Sequence, residues 1–352
     1  MITTVIPTYR RPHLLRRAIQ SILNQTYSYF QVCVYDDASG DETSALVAEF
    51  VHNDARVKYY CHDKNIGMMA NFKYAVESVT TPYFSLLCDD DLLLPTFYQT
   101  ALACFEQHPN AAFVSTAVLV MDSQGVLIDA SPTMPSGFYH PPDGLLAMIK
   151  HSKAMFTGTL YRKDVIDKIG AHDQGLGGAS DVDLDLRIAA HFPCVVCAEP
   201  GAVVSVHPSS TSIQARFDFV WRDLLKIINK LEYDESISVE LRSQASQALA
   251  QRLQVFMFNL GIVNILRGNY GEAERVSEIF RTYHQRRDKA MILSALIGGC
   301  RNVPGFASFL RAAQRARKRI RRERISPVSA SLRRDLSWIH RPEYQSPVQD
   351  SH

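Results

Sequence analysis

The sequence is poor in cysteine and has no long uninterrupted apolar run. Its seven cysteines are odd in number and scattered over 352 residues, which argues against a disulfide framework and fits a reducing compartment. The longest apolar run, Ala290–Cys300, is shorter than the ~20 residues that a membrane span requires. Residues 1–6 resemble a strand and lack the basic start of a secretory leader. We therefore expect a cytoplasmic protein.

Positive charge is concentrated near the C-terminus. Residues 301–324 contain nine Arg or Lys and one Glu, a net +8, so the rest of the chain sums to −6 against +2 overall. Phe306–Ile325 can form an amphipathic helix with arginines opposite its apolar side chains. We expect this helix to hold the protein peripherally on the anionic inner face of the plasma membrane, with a disordered tail after it. The alternative is a solvated helix or an RNA-attracting tail, and no specific nucleic-acid binding is expected.

Short apolar runs alternate four times with helical patterns over the first hundred residues. The first predicted strand, Met1–Ile6, is followed by a helix that starts near Pro12. Further strands are predicted at Gln31–Tyr35, at Val57–Cys61 and from Phe84 onward, with helical patterns between them. Such alternation with short connections predicts an α/β fold with a parallel, doubly wound sheet and helices on both faces.

Two of these strands end in carboxylates. Asp36 and Asp37 follow the second strand, and Asp89, Asp90 and Asp91 follow the fourth. Three charges cannot share a dry core, whereas the carboxyl ends of parallel strands form the edge at which such sheets bind ligands. Carboxylates suit an oxygen-preferring divalent cation, which in turn carries phosphates. A solvated turn is the alternative for each cluster alone, but the two together favour a ligand site.

Six motifs resemble those of the inverting nucleotide-sugar glycosyltransferases of family 2. They are Val5–Tyr9, Val34–Asp41, Asn65–Gly67, Cys88–Pro95, Thr157–Thr159 and Ser180–Arg187. The resemblance covers residues 1–213, about 60% of the chain, and implies a GT-A catalytic domain, Rossmann-like with a mostly parallel sheet. It implies a nucleotide-binding half over about residues 1–110 and an acceptor half over about 111–213. The family often has acidic residues where this chain has Cys88 and Ser180.

The resemblance implies how the carboxylates after the fourth strand divide their roles. Asp90 matches the ligand of a divalent cation, Mn²⁺ or Mg²⁺, that neutralises the leaving diphosphate. Asp89 would contact the donor ribose or a metal-bound water, and Asp91 would cap the helix after Pro95. His207, which follows a late strand, is a second candidate ligand, although a lone surface histidine is as common.

The nucleotide would lie at the ends of the first and second strands. The residues expected to contact it are Pro7, Thr8, Tyr9, Asp37 and Asp89. Asp37 would accept the N3–H of uracil, because a carboxylate only accepts hydrogen bonds, and this favours a UDP-sugar donor. Tyr9 can pack on the ring, whereas Asp36 would turn away and order the loop.

Asp181 matches the general base that removes the proton of the acceptor hydroxyl. From the residues alone, an N-cap of the following helix is the alternative role for Asp181. Asp183 and Asp185 are expected on the exposed face of that helix. The pattern predicts that Leu184 and Ile188 anchor its other face.

Beyond residue 213 the apolar pattern is helical. We expect a small helical subdomain over residues 214–305, followed by the basic helix and tail over 306–352. The resemblance to family 2 implies transfer of a sugar from a nucleotide-diphosphate donor to a saccharide or lipid-linked acceptor in bacterial cell-surface polysaccharide synthesis. The alternative is a degenerate transferase fold that serves as an interaction module. A nucleotidyltransferase is disfavoured, because no Gly-rich loop follows the first strand.

Overall fold

The computed structural model describes residues 1–131, 134–151, 156–207, 217–282 and 286–313. Over these residues the chain divides into two compact units, one that ends at His207 and one that begins at Phe217. The predicted boundary at residues 213 and 214 lies outside the described residues. The first unit is an α/β structure, and the second is helical.

A ten-stranded sheet forms the centre of the first unit in the described part of the chain. Its strands are β1 (Ile2–Thr8), β2 (Phe30–Asp36), β3 (Val57–Cys61), β4 (Tyr83–Leu86), β5 (Leu92–Leu93), β6 (Phe113–Asp122), β7 (Leu127–Ser131), β8 (Gly137–Tyr139), β9 (Thr159–Arg162) and β10 (Cys194–Val206). Their order is β3-β2-β1-β4-β9-β6-β10-β5, with β7 beside β6 and β8 beside β10.

The first four strands are parallel to one another, as the alternation predicts. Strand β9 is antiparallel to both of its neighbours, β4 and β6, while β10 is parallel to β6. Strands β5, β7 and β8 are antiparallel to the strands that they join. Six of the ten strands therefore run in one direction and four in the other, so the sheet is mixed and mostly parallel by strand direction. The expected fold class is confirmed.

Helices cover the sheet of the first unit. They are α1 (Pro12–Leu23), α2 (Thr43–Asn53), α3 (Met68–Glu77), α4 (Phe97–Gln107), α5 (Asp143–His151), α6 (Lys163–Ile169) and α7 (Ser180–His191), with a 3₁₀ helix at Gln174–Ala179. Helix α1 begins at Pro12 as predicted, because a proline at the first helical position lacks only an N–H that would be unpaired. Leu15, Ala18, Ile19 and Ile22 recur on one fully buried face. Truncating Ile22 to Ala would cost about 2–5 kcal/mol.

Among the described residues of the second unit, four helices have both of their ends assigned. They are α8 (Phe217–Glu232), α9 (Val239–Arg267), α10 (Tyr270–Thr282) and α11 (Arg287–Asn302). Helix α9 ends at Gly268, whose left-handed φ of 84° lets its N–H reach the carbonyls of Asn264 and Ile265. Its buried side chains Leu249, Leu253 and Met257 follow a four-residue spacing. A C-terminal helical region is thereby confirmed.

One described helix, α9, is long and apolar enough, by length and composition, to cross a membrane. Its best window has a mean hydropathy of 1.3, and 28% of that window is buried. This is weak evidence for a span, because core helices of soluble proteins pass the same test. Residues 306–313 are helical, and Phe309 is exposed. The rest of the predicted basic helix lies outside the described residues.

Candidate functional site

The carboxyl ends of β1, β2 and β4 and the end of β10 meet at one edge of the sheet. The backbone N–H of Asp37 donates to the carbonyl of Thr8 at 3.0 Å. The hydroxyl of Thr8 donates to Asp89 Oδ2 at 2.7 Å. After β10, His207 Nε2 lies 3.1 Å from Asp90 Oδ2. The acidic ends of β2 and β4 are thus joined through Thr8 at the end of β1.

Asp89 is fully buried and has a partner on each oxygen. Besides Thr8, the guanidinium of Arg11 contacts it twice, with Nη2 at 2.6 Å from Oδ1 and Nε at 3.2 Å from Oδ2. Burial raises the pKa of Asp89 to about 6, while the Arg11 charge opposes this effect. A contact between Asp89 and a ribose, as predicted from the resemblance, requires Arg11 to move.

Asp90 remains more accessible than Asp89, with 11% of its side chain exposed. Its Oδ2 lies 3.1 Å from both Arg11 Nη1 and His207 Nε2. Cys88 Sγ and one oxygen each of Asp90 and Asp91 lie within 4.8 Å of one another. Carboxylate oxygens and an imidazole nitrogen suit Mn²⁺ or Mg²⁺, although the thiol is a softer donor. The residues around Asp90 therefore fit a divalent cation.

Asp91 holds the acidic loop against the second half of the domain. Its Oδ2 accepts from the hydroxyl of Thr157 at 2.7 Å, and its Oδ1 accepts from the backbone N–H of Ser205 at 2.9 Å. Burial raises the pKa of Asp91 to about 8, and the Asp90 charge adds to this effect. The expected capping of α4 by Asp91 is wrong, because the N-cap of that helix is Thr96.

Asp36 turns away from the open edge, as expected. Its Oδ1 accepts from the backbone N–H of Ser39 at 3.0 Å, and its Oδ2 accepts from the hydroxyl of Tyr59 at 2.6 Å. Both oxygens are used within the fold, and the residue is 1% exposed. Asp36 therefore orders the loop after β2 and presents no free acceptor to a ligand.

Asp37, the residue expected to contact the nucleotide base, holds the backbone before α3. Its two oxygens accept from the N–H groups of Ile66 and Gly67, at 2.7 and 3.0 Å, immediately before α3. The aromatic ring of Tyr9 is 40% exposed, and the guanidinium of Arg10 lies 5.0 Å from its centroid. Tyr9 is therefore available for stacking, whereas Pro7 is buried in β1.

Asp181 lies in the first turn of α7. The N-cap of that helix is Ala179, so the alternative role of Asp181 as the N-cap is wrong. Its Oδ1 accepts from the backbone N–H of Val182 at 2.8 Å. The neighbouring Ser180 Oγ contacts Met69 Sδ at 3.8 Å. This contact places the start of α7 against the start of α3, which Asp37 holds.

Asp183 and Asp185 are buried, contrary to the expectation that they face solvent. Asp183 pairs with Arg187 at 2.8 Å, and Asp185 accepts from the hydroxyl of Tyr161 at 2.9 Å. Arg187 also donates to the carbonyls of residues 169–171. The reason is that α7 packs against α5, α6 and the 3₁₀ helix, so more than one of its faces is covered. The first turn of α7 is thereby fixed in place.

Two arginines, one at the N-cap of α1 and one within that helix, lie at the site and were not predicted. Arg11 bridges Asp89 and Asp90, and Arg17 lies close enough to Asp90 for that carboxylate to oppose the lowering of the Arg17 pKa by burial. The Nε and Nη2 atoms of Arg17 are buried without a hydrogen-bond partner in the described structure. The position of Arg11, three residues after the end of β1 and at the same sheet edge as the carboxylates, was the sequence signal that could have identified it.

The first unit has a fold of the GT-A type. Residues 3–170 match the family model described as "Glycosyl transferase family 2", and this part of the chain is a domain of that family. The chain is 26% identical over 230 residues to chondroitin synthase of Escherichia coli, which covers 65% of this chain and 32% of the synthase.

A second curated relative is the GalNAc(5)-diNAcBac-PP-undecaprenol beta-1,3-glucosyltransferase of Campylobacter jejuni. It is 32% identical over 113 residues, which is 32% of this chain and 35% of that enzyme. The chain therefore spans about a third of the length of each of these two relatives.

Two solved structures show the same fold. Residues 1–349 of S. aureus TarS in complex with UDP-GlcNAc match with a TM-score of 0.64 and 15% identity, over 85% of this chain and 91% of that one. A mannosyltransferase of Pyrobaculum calidifontis in complex with GDP-Man and Mn²⁺ matches with a TM-score of 0.52 and 15% identity, over 89% and 85%. At this identity the likeness establishes the fold alone.

Proposed function

We propose that the chain transfers a sugar, with inversion, from a nucleotide-diphosphate donor to a hydroxyl of a saccharide or lipid-linked acceptor in bacterial surface-polysaccharide synthesis. A UDP-sugar is the favoured donor. The observation that carries the proposal is the contact network at one sheet edge, in which Thr8, Asp89, Asp90 and His207 join three strand ends. The family 2 domain and the UDP-GlcNAc complex of TarS support it.

The donor's two ends have separate binding groups in this proposal. Tyr9 stacks on the base, and a remaining lone pair of Asp37 accepts the N3–H of uracil. Asp90 and His207 hold a divalent cation, Mn²⁺ or Mg²⁺. That cation, when bound, offsets the charge that grows on the leaving diphosphate.

Asp181 acts on the acceptor. Its carboxylate takes the proton of the acceptor hydroxyl, whose oxygen attacks the anomeric carbon from the face opposite the diphosphate. The bond from that carbon to the diphosphate oxygen breaks, and the nucleoside diphosphate leaves with the bonding electrons. Attack from that face inverts the configuration at this carbon. The anchored first turn of α7 limits movement of Asp181, which favours an in-line arrangement of the two substrates.

The cellular location is part of the proposal. A lipid-linked acceptor lies at the membrane, and the basic residues 301–324 suit the anionic inner surface of the plasma membrane. The relative from Campylobacter jejuni, whose name includes undecaprenol, supports an acceptor of this kind. Peripheral attachment would keep the catalytic domain beside such an acceptor.

Calorimetry with UDP, with and without Mn²⁺, tests the proposal. We expect UDP to bind more tightly with Mn²⁺ than with a chelator, and more tightly than GDP. Asp90→Asn should lower the Mn²⁺-dependent part of the affinity at least tenfold, because one cation ligand loses its charge. Asp164→Asn, a change at an exposed carboxylate of α6, is the matched control and should bind as the unmodified protein does. Equal UDP affinity in all three proteins would remove Asp90 from the site.

A further inference from the structure

Arg11 occupies the acidic cluster in a way that no role described so far explains. We propose that Arg11 is a resident counter-cation, which a divalent cation displaces from Asp89 and Asp90 and which then binds the donor's diphosphate. The inference rests on the proposed function, because it assigns a second task at the same site. It makes Arg11 a residue that sets both cation affinity and phosphate affinity.

The contacts of Arg11 resemble those of a bound cation. Its guanidinium bridges two carboxylates, at 2.6 Å to Asp89 Oδ1 and 3.1 Å to Asp90 Oδ2. Asp89 is fully buried, and a buried carboxylate needs a neutralising partner. Arg11 supplies that positive charge from within the chain. Asp89 can therefore carry its negative charge before any metal arrives.

The backbone around Arg11 is fixed, whereas its side chain is partly open. Arg11 is the N-cap residue of α1, and Pro12 occupies the first helical position. The preceding Arg10 has a left-handed φ of 55° and donates its backbone N–H to Ser39 Oγ at 2.9 Å. The side chain of Arg11 is 31% exposed. It can thus swing at the sheet edge while its Cα stays in place.

A divalent cation and Arg11 compete for the same oxygen. Asp90 Oδ2 already receives Arg11 Nη1 and His207 Nε2, each at 3.1 Å. A doubly charged ion that binds Asp90 would face a guanidinium at contact distance, and like charges at that range repel strongly. The nearby charge of Arg17 adds to the repulsion. Cation binding therefore favours departure of Arg11 from Asp90.

The freed guanidinium has a suitable target close by. Its planar fork of N–H donors matches phosphate oxygens, and Arg11 lies at the N-terminus of the twelve-residue helix α1, where anions are favoured. The diphosphate of a donor that reaches from Tyr9 to Asp90 must pass this point. Arg11 would then exchange carboxylate partners for phosphate partners without leaving the edge.

Binding measurements on Arg11→Gln test this exchange. At about pH 8, Mn²⁺ alone should bind the variant about tenfold more tightly than the unmodified protein, because the competing guanidinium is gone from both carboxylates. Pyrophosphate at saturating Mn²⁺ should bind about tenfold more weakly, because a phosphate ligand is gone. Arg16→Gln is the matched control and should change neither affinity, because Arg16 is one helical turn away and pairs with exposed Glu49.

Two further measurements keep the inference open to refutation. If Arg11→Gln does not fold without metal, Arg11→Lys replaces it, and a lysine that lacks the bidentate fork should also weaken pyrophosphate. Mn²⁺ should raise the melting temperature of the Gln variant more than that of the unmodified protein. Unchanged or weaker Mn²⁺ binding by Arg11→Gln would make Arg11 a permanent structural partner. If the unmodified protein binds neither Mn²⁺ nor UDP, the proposed function itself fails.

Discussion

Replacing Asp181 by asparagine separates the general base from a structural carboxylate. Asparagine keeps the size of the side chain and the oxygen that accepts the Val182 N–H at 2.8 Å. It removes the negative charge and the site that accepts a proton. If Asp181 is the base, the variant folds and binds donor normally but transfers sugar slowly.

The expected magnitudes of the two roles differ enough to decide between them. Losing a general base costs 10²–10⁴-fold in rate, or about 3–5 kcal/mol of barrier. Losing a carboxylate in the first turn of a helix costs only about 0.3–1 kcal/mol of unfolding free energy. For a domain of this size that corresponds to a fall in melting temperature of about 2–4 °C at most. A rate loss of a hundredfold therefore cannot be a stability effect in folded protein.

The assay follows release of UDP from a UDP-sugar, with an acceptor or with water as the slow substitute. Calorimetry on the same samples measures donor affinity, which should stay within about twofold because Asp181 acts on the acceptor. Asp183→Asn is the matched control on the same helix. It breaks the buried pair with Arg187 and should lose up to about 3–5 kcal/mol of stability. Asp181→Asn should thus lose rate but little melting temperature, whereas Asp183→Asn should lose melting temperature.

The refuting result is equally specific. A Asp181→Asn variant that retains both transfer and hydrolysis within about threefold, with any loss in melting temperature only, would exclude Asp181 as the base. The search would then turn to other groups that face the acceptor side of the edge.

Three further predictions concern recognition of the nucleotide base, the pH dependence of stability and the basic C-terminal tail. Asp37→Ala should weaken UDP more than pyrophosphate, and equal losses by calorimetry would make Asp37 purely structural. In metal-free buffer, the pKa of Asp91 is about 8 in the folded protein and 3.8 without the fold, so the folded state binds the proton more tightly. The stability that this proton contributes is therefore lost as the pH rises from about 4 to 8. Asp91→Asn should flatten this part of the melting profile, and an unchanged slope would contradict the pKa. Truncation before Phe306 should release the protein from anionic vesicles in flotation without loss of UDP affinity; a full-length chain that never floats refutes the anchor.

The alternation of strands and helices was predictable because each run carries its own period. Helix α1 begins at Pro12 as predicted, whereas β1 extends two residues beyond its predicted end, through Pro7 to Thr8. The extension is possible because β1 pairs with β4 only as far as Val5. Because Pro7 lies beyond the residues that pair with β4, its missing N–H removes no hydrogen bond between β1 and β4.

Strand direction was not predictable in the second half of the first unit. An alternation with a period of two indicates a strand but not the direction in which it runs. The sequence Thr159–Arg162 therefore does not show that β9 lies antiparallel to both β4 and β6. The sheet thereby brings Thr157, just before β9, to within 2.7 Å of Asp91. This contact joins the expected nucleotide and acceptor halves, and it depends on a pairing that local sequence does not specify.

The three adjacent carboxylates show where sequence reasoning stops. Alternation fixes side-chain direction only within a strand, and β4 ends at Leu86, before the acidic run begins. The directions of the Asp89, Asp90 and Asp91 side chains are therefore set by the irregular loop after β4 and not by strand alternation. Arg11 neutralises the first and Thr8 donates a hydrogen bond to it, whereas the hydroxyl of Thr157 and the backbone N–H of Ser205 hold the third.

Asp90 is the carboxylate that this division leaves open to a ligand. Its pairing partners, Arg11 and His207, both have side chains that are partly exposed, at 31% and 12%, whereas Asp89 and Asp91 are enclosed. An enclosed carboxylate can support a site, but a cation that enters from solvent needs an accessible oxygen. The proposal of Asp90 as the cation ligand thus rests on the exposure of its neighbours. These are Arg11 at the start of α1 and His207 after β10, which lie 79 residues before and 117 residues after it in the chain.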